Sequence, residues 1–338
     1  MNILITGGAG YVGCRLVPAL VADGHRVVVI DKLVFGDEGL AVCRDQIDLR
    51  VQDIRSLAPR DFAGFDAVVH LAGLSNDPTA EFWPEATRNI NFDATVKLGR
   101  SAKMSGVRRF VFASSCSVYH QPEWGDEVQD EDAKLSPRVP YSRSKWHAER
   151  ALLDMTDEHF KPVILRKGTI FGESPRMRYD LVVNAFTCDA FKIQRLTVHA
   201  AGRMWRPLLH IDEAVLAYRK ALSASDEAVG GRVFNVLGDN HQILEVALAV
   251  RNSLRDLVRS EIVLDLQPIG ASRSYRASGD RFREAVGFAP AQTITGAVSD
   301  MWAMLASRAD PNNAIYYNVQ WIRALLDTGG GCGATDNT

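Results

Sequence analysis

No apolar run in this chain approaches the ~20 residues needed to cross a bilayer, and strand-like sequence begins at Ile3. A membrane span and a leader peptide are therefore not expected, and the reading is of a cytoplasmic protein. Cysteine is sparse: five among 338 residues (Cys14, Cys43, Cys116, Cys188, Cys332), odd in number and without paired spacing. That pattern excludes a zinc knuckle or a redox couple and reads as reduced thiols, with no metal expected. Charge is nearly balanced, at a formal −2. A nucleic-acid or anionic-membrane partner thus gains no global attraction, and any phosphate binding must come from local arginines. Internal repeats and long charge runs are also missing. What remains, 46% hydrophobic and 24% charged residues, is ordinary for a globular enzyme.

The most informative stretch comes first. Ile3-Leu4-Ile5-Thr6 runs into Gly7-Gly8-Ala9-Gly10-Tyr11-Val12-Gly13, an apolar strand entering a glycine-rich turn and then a helix. Such a turn lets backbone amides approach a pyrophosphate at a helix N-terminus. Gly8, Gly10 and Gly13 fit one glycine spacing and Gly7, Gly10 and Gly13 a looser one, so the register is open. Arg26-Val27-Val28-Val29-Ile30 reads as a buried parallel strand ending at Asp31, 18 residues past Gly13, near the ~20 expected of the acid that holds an adenosine ribose. A carboxylate there repels a ribose 2′-phosphate and favours NAD over NADP, a preference that Lys32 offsets in part.

The alternation continues. Asp66–Gly73, Phe110–Ser115 and Val163–Arg166 read as further strands, with helix-like periodicity over Ala94–Met104 and Lys145–Met155. The fold class is α/β, a Rossmann-type doubly wound parallel sheet with a smaller, discontinuous C-terminal lobe. Residues 1–171, with returning segments about 210–240, form the dinucleotide domain; 172–209 and 241–305 form the substrate lobe; 306–338 hold a C-terminal helix and a tail expected to be disordered from Asp327. Ligands of such sheets lie beyond the carboxyl ends of the strands, which selects Gly73, Ser114 and Ser115. Tyr141 stands four residues before Lys145, which puts a phenol and an ammonium on one helix face.

With glycine turn, Asp31, strand-end serines and Tyr141/Lys145 in this order, the chain resembles the extended short-chain dehydrogenase/reductases, specifically the NAD-dependent nucleotide-sugar epimerase/dehydratase family that includes UDP-glucose 4-epimerase-like enzymes. The resemblance covers roughly residues 1–305. Thr6 to Gly13 is similar to the family's T-G-x-x-G-x-x-G, which implies cofactor contacts from Gly7, Gly10, Tyr11, Val12 and Gly13. By the same resemblance Asp53-Ile54 is the adenine-binding pair, and His70-Leu71-Ala72-Gly73 is the loop along the cofactor. Asn91 is implied to stabilise the central helix beside the cofactor, with Ser114 at its edge. Ser115 is implied as the catalytic hydroxyl, Ser117 as a second, and Tyr141 and Lys145 as acid/base and partner. Lys145 and a positive nicotinamide ring would lower the Tyr141 pKa toward neutrality.

In the second lobe, Arg206 before His210-Ile211-Asp212 resembles the element whose Arg contacts the substrate diphosphate, and Asn184 stands where a helix N-terminal Asn touches it. Arg176, Arg178, Arg273 and Arg276 are further candidates. Three departures stand out. Cys116-Ser117 replaces the Asp-Glu pair with which sugar 4,6-dehydratases eliminate water. His120 replaces a Gly, as a surface residue or an imidazole near the site. Gly168 replaces an Asn after the Leu-Arg strand. The resemblance thus implies a nucleotide-diphosphate-sugar 4-epimerase, with a 4-dehydrogenase or 4-ketoreductase as the alternative and a non-catalytic NAD-binding regulator behind both. It also implies a homodimer through the helices at 94–104 and 145–155.

Overall fold

Val27, Val28, Val29 and Ile30 have no polar break, and all four side chains are at most 1% exposed, as in a strand covered on both faces. The computed structural model describes residues 1–119, 127–258, 261–268, 273–307 and 310–327. Its main sheet has seven strands, in the order Arg232–Val236, Lys161–Lys167, Arg109–Ser115, Ala67–His70, Asn2–Thr6, Arg26–Asp31 and Asp48–Val51. Every neighbouring pair is parallel. The order reverses beside Asn2–Thr6, so the loops after Thr6 and His70 part there and open a crevice. The short edge strand Asp48–Val51 carries little apolar sequence and was not expected.

One face is covered by helices Gly13–Ala22 and Ile211–Ser223, the other by Ala94–Met104 and Pro140–Leu153. The last two approach closely at Gly99, where an added Cβ would stand 2.5 Å from Leu152 Cδ2. The last helix begins at Pro140, five residues before the expected start. Proline at the first helical position loses no hydrogen bond, so the helix extends back and takes Tyr141 into its first turn.

A second core gathers Val183, Leu196, Val246 and Met301. Around it stand a three-stranded sheet of Thr169–Phe171, Trp205–His210 and Asp239–Gln242 and the pair Arg195–Val198 and Val263–Leu266. Tyr11 belongs to this second core although it lies within the glycine turn. Among the described residues no helix is long and apolar enough to cross a membrane, and no group of three or more His, Cys, Asp or Glu could hold a metal. Cys14, Cys43, Cys116 and Cys188 are unpaired, buried thiols; Cys332 and His120 lie outside the described residues.

Candidate active site

Gly7 settles the register of the turn. Its φ is +78°, and a Cβ there would stand 2.5 Å from the Ala72 backbone nitrogen. Gly13 lies against the Gly8 carbonyl, and Gly8 itself packs on Val29. Gly7, Gly10 and Gly13 line a cavity of about 420 Å³, together with Tyr11 and Val12; Gly8 faces the core.

Asp31 lines the same end of the cavity. Its Oδ2 accepts from Ala9 N at 3.0 Å and its Oδ1 from Leu33 N at 2.8 Å, which braces the turn against the second strand. Burial raises its pKa, and the backbone donors oppose this. Lys32 is spent on Asp53, 3.3 Å away, and Arg55 grips the same carboxylate at 2.7 Å. Burial alone would raise Asp53, but Arg55 and Lys32 outweigh it and hold the carboxyl at about 2. Ile54, Leu71, Ala72 and Gly73 complete this wall.

The strand ends bring the chemistry together at the other end, where Ser114, Ser115, Ser117, Tyr141 and Lys145 share the lining. Ser115 and Tyr141 are joined by a side-chain hydrogen bond. Lys145 Nζ donates to the Ala113 carbonyl at 2.9 Å and lies 6.0 Å from the Tyr141 ring. Burial lowers Lys145 to about 8, with Glu149 pulling it back. Ser114 donates to Glu149. The Ser117 hydroxyl is buried without a partner among the described residues, so one hydrogen bond is left for a ligand. Cys116 points away and donates to the Arg166 carbonyl at 3.1 Å.

Several expectations need correction. The protein alone pushes Tyr141 up to about 12, because burial and the Asp77 charge outweigh Arg178 and the Ser115 hydrogen bond. Lowering toward neutrality therefore has to come with the cofactor. Asn91 does not line the cavity; from a π-helical turn its amide holds Leu74 N and O at 2.8 Å each. It fixes the loop after Gly73. Asn184 is fully buried behind Tyr11; its Oδ1 accepts from Gly172 N and its Nδ2 donates to Tyr11 Oη and the Arg178 carbonyl, each at 3.0 Å. With both amide hydrogens used it has no donor left for a diphosphate. At Gly168 a Cβ would stand 2.8 Å from the Pro207 carbonyl, so the crossing strand excludes an Asn.

The expected phosphate-binding arginines gather unevenly. Arg178 lines the cavity but holds Asp180 through two bonds of 2.9 Å, and Arg273 lines it paired to Asp77. Arg206 is stacked 5.0 Å from the Tyr275 ring and donates to the Trp205 and Arg273 carbonyls, with no carboxylate paired to it among the described residues. Arg276 stacks on Trp205 instead. Sequence reasoning missed Asp77 and Lys167. Asp77 keeps a buried Oδ1 in the cavity wall with no hydrogen-bond partner among the described residues. Lys167, opposite Ser115 in register, reaches Tyr218 Oη at 2.7 Å and is lowered to about 7 by burial and by Lys145. An aspartate opening the short helix Asp77–Phe82 and a strand-end lysine carry no local signal that separates them from solvated charges.

A cavity lined by a Cβ-free glycine turn with Asp31, and by the hydroxyl, phenol and ammonium of Ser115, Tyr141 and Lys145, fits a dinucleotide. The comparisons agree. A UDP-glucose 4-epimerase of Mycolicibacterium smegmatis is 29% identical over 308 residues, covering 86% of this chain and 94% of that protein. UDP-glucuronic acid decarboxylase 1 of Danio rerio is 28% identical over 258 residues, covering 74% of this chain and 60% of the relative. The solved structure of MoeE5 in complex with UDP-glucose and NAD superposes with a TM-score of 0.77 at 25% identity, covering 91% of this chain and all of the other. Residues 3–236 match the family pattern, and the chain belongs to the NAD dependent epimerase/dehydratase family.

Proposed function

We propose that this protein is a nucleotide-sugar 4-epimerase that works through a transient 4-keto sugar. The observation that carries the reading is the gathering of Ser115, Tyr141 and Lys145 at one end of the cavity, with the thiol of Cys116 turned away where an eliminating acid would have to stand. Bound NAD would supply a reversible hydride acceptor for the sugar carbon and a positive ring that favours the phenolate.

The protein's own groups do the rest. Ser115 holds the sugar hydroxyl in line with Tyr141, which removes its proton. Lys145, anchored on the Ala113 carbonyl, steadies the phenolate. Ser117 and the free oxygen of Asp77 take neighbouring sugar hydroxyls, relieving two buried orphan groups. Arg206, and Arg178 and Arg273 beside their aspartates, receive the diphosphate. Both faces of the keto sugar must reach the same ring, so the sugar turns while the nucleotide stays anchored.

Incubation with UDP-, GDP-, dTDP- and CDP-sugars plus NAD, following absorbance at 340 nm and product mass, tests this. An isomer of unchanged mass without net NADH is the expected result. Stoichiometric NADH with a product two hydrogens lighter establishes the dehydrogenase instead. The homodimer belongs to the same reading; the outer faces of its two helices carry exposed Arg100, Arg143, His147 and Arg150, and light scattering decides it.

A further inference from the structure

Beyond Phe171 the chain turns back over the glycine turn. Tyr11 Oη donates to the Gly172 carbonyl at 2.6 Å, Ser174 Oγ donates to the Tyr11 carbonyl at 2.7 Å, and the Cys14 sulfur accepts from the Arg176 backbone. These bonds carry Arg176, a residue of the second lobe, to the first turn of helix Gly13–Ala22 and the Asp31 end of the cavity. Arg176 lines that cavity and is 5% exposed. Its guanidinium lies 3.8 Å from the Phe35 ring centroid and donates to Asn318 Oδ1 at 2.5 Å and to the Ile315 carbonyl at 3.4 Å. Its Nε is buried with no partner among the described residues. Asp31 and Asp180 act on it only at longer range, and burial lowers it to about 9.

A guanidinium buried without a paired carboxylate is costly. This one lines an amide-rich turn built to receive phosphate, which is its natural counter-charge. Over it lies the C-terminal helix Asn318–Asp327, whose Asn318 and Ile322 also line the cavity. Asn318 Nδ2 reaches Ser75 Oγ at 2.8 Å, and Trp321 Nε1 donates to the Val34 carbonyl at 2.6 Å.

We propose that Arg176 binds the pyrophosphate of NAD and that Asn318 seats it there, so that the second lobe and the C-terminal helix close the cofactor in. The inference rests on the family's NAD and deepens the epimerase reading, since an enzyme that returns its hydride to the same sugar has no need to exchange cofactor. The competing anion for Arg176 is the substrate diphosphate.

The test uses the full-length, NAD-loaded protein. Release of NAD is followed by exchange against labelled NAD, and UDP binding by calorimetry. Arg176→Met is expected to speed NAD release at least 10-fold and leave UDP affinity within twofold, with Arg176→Lys intermediate and Asn318→Ala releasing NAD faster than wild type. Loss of UDP affinity with unchanged NAD release assigns Arg176 to the substrate and overturns the proposal, as does unchanged release in all three variants. Should Arg176→Met fail to fold, Asn318→Ala and Arg176→Lys carry the same comparison. A wild-type protein that takes up no labelled NAD at all overturns the cofactor reading itself, a result separate from any effect of the variants.

Discussion

Glu149 and Arg166 form a bidentate ion pair directly behind the strand end at Ser114 and Ser115, with side chains 1% and 5% exposed and bonds of 2.7–3.1 Å. Ser114 donates to the same glutamate, and Arg166 continues to Tyr119 Oη at 2.8 Å and through it to Asn235 at 2.7 Å. The pair sits one helical turn from Lys145 and holds that turn to the sheet.

Removing one partner leaves a buried charge alone. Glu149→Ala is expected to lower stability by about 3–5 kcal/mol, read from urea unfolding. Joint replacement of Glu149 and Arg166 by apolar residues should recover much of that loss; an equal loss in the double variant would refute the ion-pair account.

The two turn glycines should fail differently. Gly7→Ala forces a side chain to φ +78° and into the Ala72 backbone, at a cost of at least about 1–3 kcal/mol. Gly10→Ala meets only the Gly7 carbonyl at 3.3 Å and otherwise enters the cavity. It should keep the wild-type melting temperature and lose NAD affinity. Melting curves with and without NAD separate the two.

Tyr141→Phe removes the proton acceptor and little volume. Turnover should fall by about 10²–10⁴-fold, while NAD binding, followed by fluorescence quenching, stays within twofold. Lys145→Met should shift the pH–rate profile of the NAD-loaded enzyme to higher pH, because the phenolate of Tyr141 loses the ammonium beside its ring.

Lys167 supplies a pH test of stability. Its folded pKa is about 7 against an ordinary 10.5. Between those values the unfolded chain holds a proton that the folded chain has released, so stability rises with pH through that window. Replacing Lys167 by Met together with Tyr218 by Phe, which leaves no orphan hydroxyl, should stabilise the protein at pH 7 by about 1–3 kcal/mol. The gain should shrink toward pH 10. A gain that is the same at both pH values would show that Lys167 is not a buried charge.

What the sequence determined is local or periodic. The helix Ala94–Met104 was legible to the residue because Leu98 and Ala102 recur on one face while Lys97 and Arg100 face water. The run Val27–Ile30 could only be a covered strand. Glycines before an apolar helix, and Tyr141 four residues before Lys145, announce through spacing alone residues that line one cavity. Tertiary structure decided everything that depends on what crosses a gap. Gly7 rather than Gly8 serves the turn because the Ala72 backbone, from another strand end, presses on it. Asn184 is consumed by Tyr11 and Gly172, partners that lie 173 and 12 residues away. Arg176 reaches the Asp31 end of the cavity through the contact of nearby Ser174 with Tyr11 and its own with Asn318, 142 residues later. Such contacts join segments that carry no mutual signal in the sequence, and their geometry exists only once the two lobes have packed around the same crevice.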